Sequence, residues 1–143
     1  MDDSEVRHII YDITMTEGVP PSSARVAERA GSPVASVLES FRRLAENRMI
    51  VLQPSGEILM AGPFSAVPTP FKVTTNTFST YANCIWDSLG IPAMVKTDAV
   101  VETNCADCGE QAKILVMDGV LTGSGFMHFV VPARLWWTHI IYT

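Results

Sequence analysis

Tyr81-Ala-Asn-Cys84-Ile-Trp-Asp87-Ser-Leu-Gly-Ile-Pro92 is the stretch on which the rest of the chain turns. It reads as a helix ended by a Gly/Pro stop, with Tyr81, Ile85 and Leu89 as a packing stripe. Residues three apart lie on one helical face, so Cys84 and Asp87 are expected to address one small site. A soft nucleophile beside a proton donor or acceptor is a minimal kit for breaking a bond to a soft atom.

Upstream, the pattern is helical. Val6, Ile9, Ile10 and Ile13 recur at helical spacing, and Gly18-Val-Pro-Pro21 stops that helix. A short helix over residues 24–30 is capped by Ser22 or Ser23 and closed by Gly31. Ser32-Pro33 restarts the chain as a serine cap with proline at the first helical position. Val34, Val37, Leu38, Phe41 and Leu44 form one core-facing stripe. Runs 49–52 and 58–60 flank Gln53-Pro-Ser-Gly-Glu57, a β-hairpin signal.

Three helices and a hairpin make a winged-helix-like pattern over residues 1–61. The third helix opens on Pro33, Val34, Ala35 and Ser36, where a DNA-reading helix needs polar base contacts. A structural role is therefore preferred over DNA binding. The proline-rich connector 62–71 is apolar, and Phe64, Val67 and Phe71 are expected to tie the halves together, with Phe64 also reaching the Cys84 pocket. In region 72–143, residues 71–75, 99–103, 112–117, 126–131 and 140–142 read as strands. Residues 76–79 read as a loop and 132–137 as one helical turn. The expected class is α+β, the helical module packed on a small mixed β-sheet core.

The chain has 143 residues and a net charge of −5, and its mean hydropathy is +0.22. Such a chain builds one ordinary domain or two very small ones. Neither half carries the basic footprint of a nucleic-acid binder. No apolar run reaches the length of a membrane span, and the acidic amino terminus is unlike a signal peptide. A soluble, cytoplasmic protein is expected. Three cysteines, an odd number, argue for free thiols over a disulfide framework.

Tyr81 to Ala93, together with Val100-Val-Glu-Thr-Asn-Cys105-Ala, resembles the organomercurial (alkylmercury) lyase family, from the helical module through Thr143. The resemblance implies a carbon–mercury lyase with Cys84 and Asp87 as catalytic residues and mercury ligands. Thiolates take the mercury and the aspartate protonates the departing carbon. Cys105 matches a family cysteine of structural role, expected inside a tight turn. No cofactor is required; mercury(II) enters as part of substrate and product, and the partner is a small organomercurial or another thiol-reactive molecule. A second catalytic cysteine would fall at or one place beyond Thr143, where no cysteine stands. The chain is then a shortened relative, or its boundary falls just before that ligand.

Cys105-Ala-Asp-Cys108-Gly109 resembles half of a zinc site. Cys108 is an added thiol that could stand in for the missing ligand beside Cys84 and Asp87. His128 and His139 read as core or half-exposed residues, and Trp136-Trp137 as a core cover or an oligomer contact. An exposed sheet edge would favour a homodimer. Two alternatives stand beside the lyase: a non-catalytic soft-metal or small-ligand binder on a degenerate lyase fold, and a winged-helix transcriptional regulator.

Overall fold

Amphipathic spacing in the first 50 residues becomes three helices, α1 (Asp3–Glu17), α2 (Ser23–Ala30) and α3 (Val34–Glu46), in a computed structural model that describes residues 2–142. Asp2 caps α1 by accepting from the Ser4 amide, and Ser22 caps α2 by accepting from the Arg25 amide. The expected serine cap of α3 is absent. Pro33 occupies the cap position, while the Ser32 hydroxyl turns back to donate to the Ala30 carbonyl. Val37, Phe41 and Leu44 are buried as read, but Val34 is 41% exposed.

Eight strands follow among the described residues: β1 (Val51–Leu52), β2 (Ile58–Ala61), β3 (Phe64–Ser65), β4 (Lys72–Thr75), β5 (Ser79–Ala82), β6 (Ala99–Asn104), β7 (Gln111–Met117) and β8 (Val120–Thr122). Between β5 and β6 lies α4 (Ile85–Val95). The strands form one sheet in the order β1-β2-β3-β5-β4-β6-β7-β8. Every pairing is antiparallel. This corrects the mixed sheet expected from sequence: short turns join most neighbours, and α4 returns the chain across one strand only, from β5 past β4 to β6.

The β1–β2 hairpin is not a free wing, because β2 pairs onward with β3. Its turn is held by Glu57, whose carboxylate accepts from the Ser23 amide and hydroxyl at the start of α2. Two buried clusters lie along this sheet. One joins Val6, Ile10, Val26, Val37, Phe41 and Leu44 to Ile50 and Ile58. The other joins Phe64, Val73, Phe78, Ile91, Ala99 and Val101 beneath α4, with Tyr11 and Met15 of α1 packed against it. Helix α1 thus contributes to both. Phe64 ties the halves as expected, edge-on to Tyr11 with ring centroids 6.2 Å apart. Val67 does not; it is 38% exposed.

Other differences concern the second half. Residues 79–82, read partly as a loop and partly as helix, are the strand β5. The Gly/Pro stop at 90–92 does not stop α4. Pro92 lies inside the helix, which closes four residues later at left-handed Lys96. A proline lacks only its own amide bond, here the one to the Ser88 carbonyl, and burial of Ile91 and Pro92 offsets that loss. Residues 126–131 form no strand: Phe126 and Val130 are 104% and 86% exposed. Residues 140–142 form a 3-10 turn, as do 133–138. Thr143, the expected neighbourhood of a second catalytic cysteine, lies outside the described residues.

Gly18 ends α1 with φ +79°, and a Cβ there would run into the Ser79 carbonyl oxygen of β5. Gly18→Ala combines a left-handed backbone penalty with overlap against a strand. It is expected to cost about 2–3 kcal/mol, read as a lower urea midpoint with an unchanged slope. A midpoint equal to the parent's would refute this reading of the α1–β5 contact.

Candidate active site

Asn83 and Cys84 form the two-residue junction between β5 and α4. Cys84 is extended (φ −151°, ψ 179°) and occupies the cap position of the helix. Its Sγ accepts from the Asp87 amide at 3.5 Å. Asn83 Nδ2 donates to Asp87 Oδ2 at 3.0 Å. The i, i+3 relation read from sequence holds, but as a cap and a first-turn residue instead of two positions inside a helix. Cys84 and Asp87 converge on one cavity, together with Asn83.

The cavity is about 360 Å³. One side is built by Arg7 and Tyr11 of α1 and by residues 48–51 entering β1. The other comes from the carboxy-terminal segment through Phe129, Trp136, Trp137, Ile140 and Ile141. Tyr11 donates its hydroxyl to the Gly62 carbonyl at 2.7 Å, which fixes its ring in the wall. Trp136 donates its indole N–H to the Val131 carbonyl at 2.8 Å and packs on Phe129. The Arg7 guanidinium lies over the Tyr11 ring and the Arg48 guanidinium over the Trp137 ring, 5.7 and 5.8 Å from the centroids. Among the described residues neither arginine has a carboxylate partner.

Burial dominates the electrostatics. It pushes the Asp87 carboxyl above its ordinary value, although hydrogen bonds from Asn83 and Cys84 pull the other way. Burial also raises the Cys84 thiol, and the Asp87 charge adds to that; the amides of Asp87 and Trp86 oppose it. The helix amino terminus was expected to favour thiolate. Its amides do act in that direction, but desolvation outweighs them. Burial thus favours the protonated form of both groups.

The other cysteines lie elsewhere. Cys105 and Cys108 are exposed in the turn between β6 and β7. The tight turn was expected, but Cys105 is not packed inside it: at the end of β6 the backbone has left the buried cluster. Its thiol is held below the ordinary value, chiefly by the Cys108 amide, then the Asp107 amide and the Cys108 thiol. Cys108 does not line the cavity, so the described structure does not bring it to Cys84 and Asp87. Phe64 is also absent from the cavity wall, being fully buried behind it. His128 and His139 are exposed. No cluster of three His, Cys, Asp or Glu side chains suited to a metal occurs among the described residues.

Sequence reasoning missed Asn83, Arg7, Arg48 and the role of the tryptophans. Asn83 had a signal, standing four residues before Asp87 and next to Cys84. The arginines had none, since folding alone brings them to the site.

A thiol and a buried carboxyl thus face one aromatic-walled cavity on this α+β frame. The chain belongs to the alkylmercury lyase family: the family model, MerB alkylmercury lyase, matches residues 64–142. Among solved structures it is similar to the mercury-bound form of MerB2, with a TM-score of 0.63 and 22% identity, covering 82% of this chain and 58% of that one. That likeness shows the shared fold, and this chain spans 58% of that relative's length. No curated protein matches the chain. No helix among the described residues is long and apolar enough to cross a membrane.

Because the folded pKa of Asp87 is raised, its contribution to stability is fully present below the unfolded carboxylate value. It is lost as pH rises through the folded value. Asp87→Asn removes that loss while keeping a polar partner for Asn83. Its stability relative to the parent should therefore be higher at about pH 7 than at about pH 4, measured by urea melts at both. A difference that stays flat or shrinks with pH would contradict the burial of the carboxyl.

Proposed function

We propose that the protein cleaves carbon–mercury bonds, with Cys84 as the capturing thiol and Asp87 as the proton carrier. The observation that supports this most is their convergence: Cys84 accepts from the Asp87 amide while the two side chains face one cavity. Mercury is soft and prefers thiolate ligands. When an organomercurial R–Hg–X enters, sulfur displaces X and the thiol proton passes to the Asp87 carboxylate. The protonated carboxyl, favoured by burial, then delivers that proton to the carbon as the carbon–mercury bond breaks. R–H leaves, and mercury stays on Cys84 with a second thiolate completing its pair.

Cys84 is the one thiol in the described cavity wall. The second thiolate is therefore assigned to a thiol from solution, which gives its proton to solvent; a further solution thiol then exchanges onto mercury, releases the metal as its bis-thiolate and returns a proton to Cys84. Asn83 acts as a positioning residue, fixing one Asp87 oxygen. The aromatic wall of Tyr11, Trp136 and Trp137 suits an aryl group. The same single thiol favours a second reading, a protein that captures mercurials on Cys84 without turnover.

One experiment separates the two. Phenylmercury and excess monothiol are incubated with the protein, and benzene is counted. The lyase yields many equivalents, falling to at most one when the thiol is omitted. Cys84→Ser should abolish release; Asp87→Asn should still bind mercury but lower release by about 100-fold or more. Bound mercury without benzene in the parent would support the capture protein, and unchanged release from Cys84→Ser would remove the assignment.

A further inference from the structure

The turn joining β6 to β7 carries two thiols that the cavity does not use. Cys105-Ala-Asp-Cys108-Gly109 is a folded turn: the Cys105 amide donates to the Glu110 carbonyl at 2.7 Å, and the Gly109 amide to the Cys105 carbonyl at 2.9 Å. Gly109 takes φ +74°, which reverses the chain just after Cys108. This closure keeps Cys105 and Cys108, three residues apart, in one folded turn. The amides of Cys108 and Asp107 and the Cys108 thiol hold the Cys105 thiol below its ordinary value. Both cysteines are exposed, and neither lines the Cys84 cavity.

We propose that this turn is a second soft-cation site, separate from the cavity, which holds one divalent mercury or one trivalent organoarsenical on the paired sulfurs of Cys105 and Cys108. The choice of ligand follows from the donor set. Zinc in a structural site takes four ligands, and no third His, Cys, Asp or Glu completes a cluster here among the described residues. Thiophilic ions that are satisfied by two sulfurs need no more than the turn offers. Two exposed thiols three residues apart in one folded turn let the ion bind one sulfur and the neighbouring thiol close the chelate. Mercury(II) binding forms two S–Hg bonds and releases two thiol protons to solvent. A trivalent phenylarsenic oxide forms two S–As bonds, and its oxygen leaves with the two thiol protons as water. Neither reaction changes an oxidation state.

Phenylarsine oxide is the probe, because a monothiol in excess strips it from single cysteines but not from a chelating pair. Arsenic retained after desalting against the monothiol is measured in the full chain. The Cys84→Ser variant is expected to retain one equivalent, and Cys84→Ser combined with either Cys105→Ser or Cys108→Ser none. Should Cys84→Ser fail to fold by circular dichroism, the same comparison is made between the parent and Cys108→Ser, which leaves only isolated thiols. Absence of retained arsenic in the pair-containing protein, or equal retention when Cys108 is replaced, would overturn the proposal. The result is independent of Cys84 and Asp87, so failure here leaves the carbon–mercury reading intact, and failure of that reading leaves this one standing.

Discussion

The hydrogen bond from the Asp87 amide to Cys84 Sγ sets the geometry of everything nearby. It forms because β5 ends in an extended Asn83-Cys84 step and α4 begins at once. A helix start leaves amides without partners. Serine, threonine, aspartate or asparagine normally satisfies them. Sulfur is a weak acceptor, so a cysteine here is an inferior cap. Local stability is forgone at the position where a reactive atom is aimed into a cavity. That pattern, a local rule broken beside a chemical group, is what functional sites show.

That junction is rigid only because the sheet behind it is continuous. Strand β5 lies between β3 and β4, and its last residue Ala82 pairs with Phe64. Phe64 in turn packs on Tyr11 of α1 and on Phe78. The helical module is thereby joined to the junction by strand pairing, by aromatic packing and by the Tyr11–Gly62 hydrogen bond. The cavity has walls from α1, from the entry to β1 and from the carboxy-terminal turns. A shift of α1 would move both Arg7 and Tyr11 relative to the sulfur.

The first two helices were legible because amphipathic spacing, the serine cap before α2 and the terminal glycines Gly18 and Gly31 agree with one another. The site pair was legible from its spacing and its resemblance. What could not be read depended on tertiary partners. Strand β5 is four residues of mixed character, and only pairing on both sides with β3 and β4 makes it a strand. Pro92 suggested a helix end, but burial against the sheet carries α4 through it. Residues 126–131 are apolar enough to suggest a strand, yet no neighbouring strand pairs with them. Their Phe129 serves the cavity wall, and Phe126 and Val130 remain exposed. Apolar composition says that a segment seeks cover; it does not say what provides it. The placement of Arg48 is the extreme case, since a left-handed residue after α3 meets Trp137 only through the final fold.

The electrostatic state of the pair also explains why burial is compatible with reactivity. A free thiolate beside an ionised carboxylate in a desolvated pocket would place two negative charges together, which costs energy. Burial raises both groups and so favours their protonated forms, and the thiol donates to the carboxyl. In the proposed reaction an arriving soft cation replaces the proton on sulfur, and the displaced proton has a nearby acceptor whose affinity burial has already raised. Arg7 and Arg48 line the same cavity, held over aromatic faces with no carboxylate partners among the described residues. Under that proposal, activation of Cys84 is an exchange of one cation for another at sulfur. It does not require prior deprotonation, and this reconciles a raised thiol pKa with a thiophilic site.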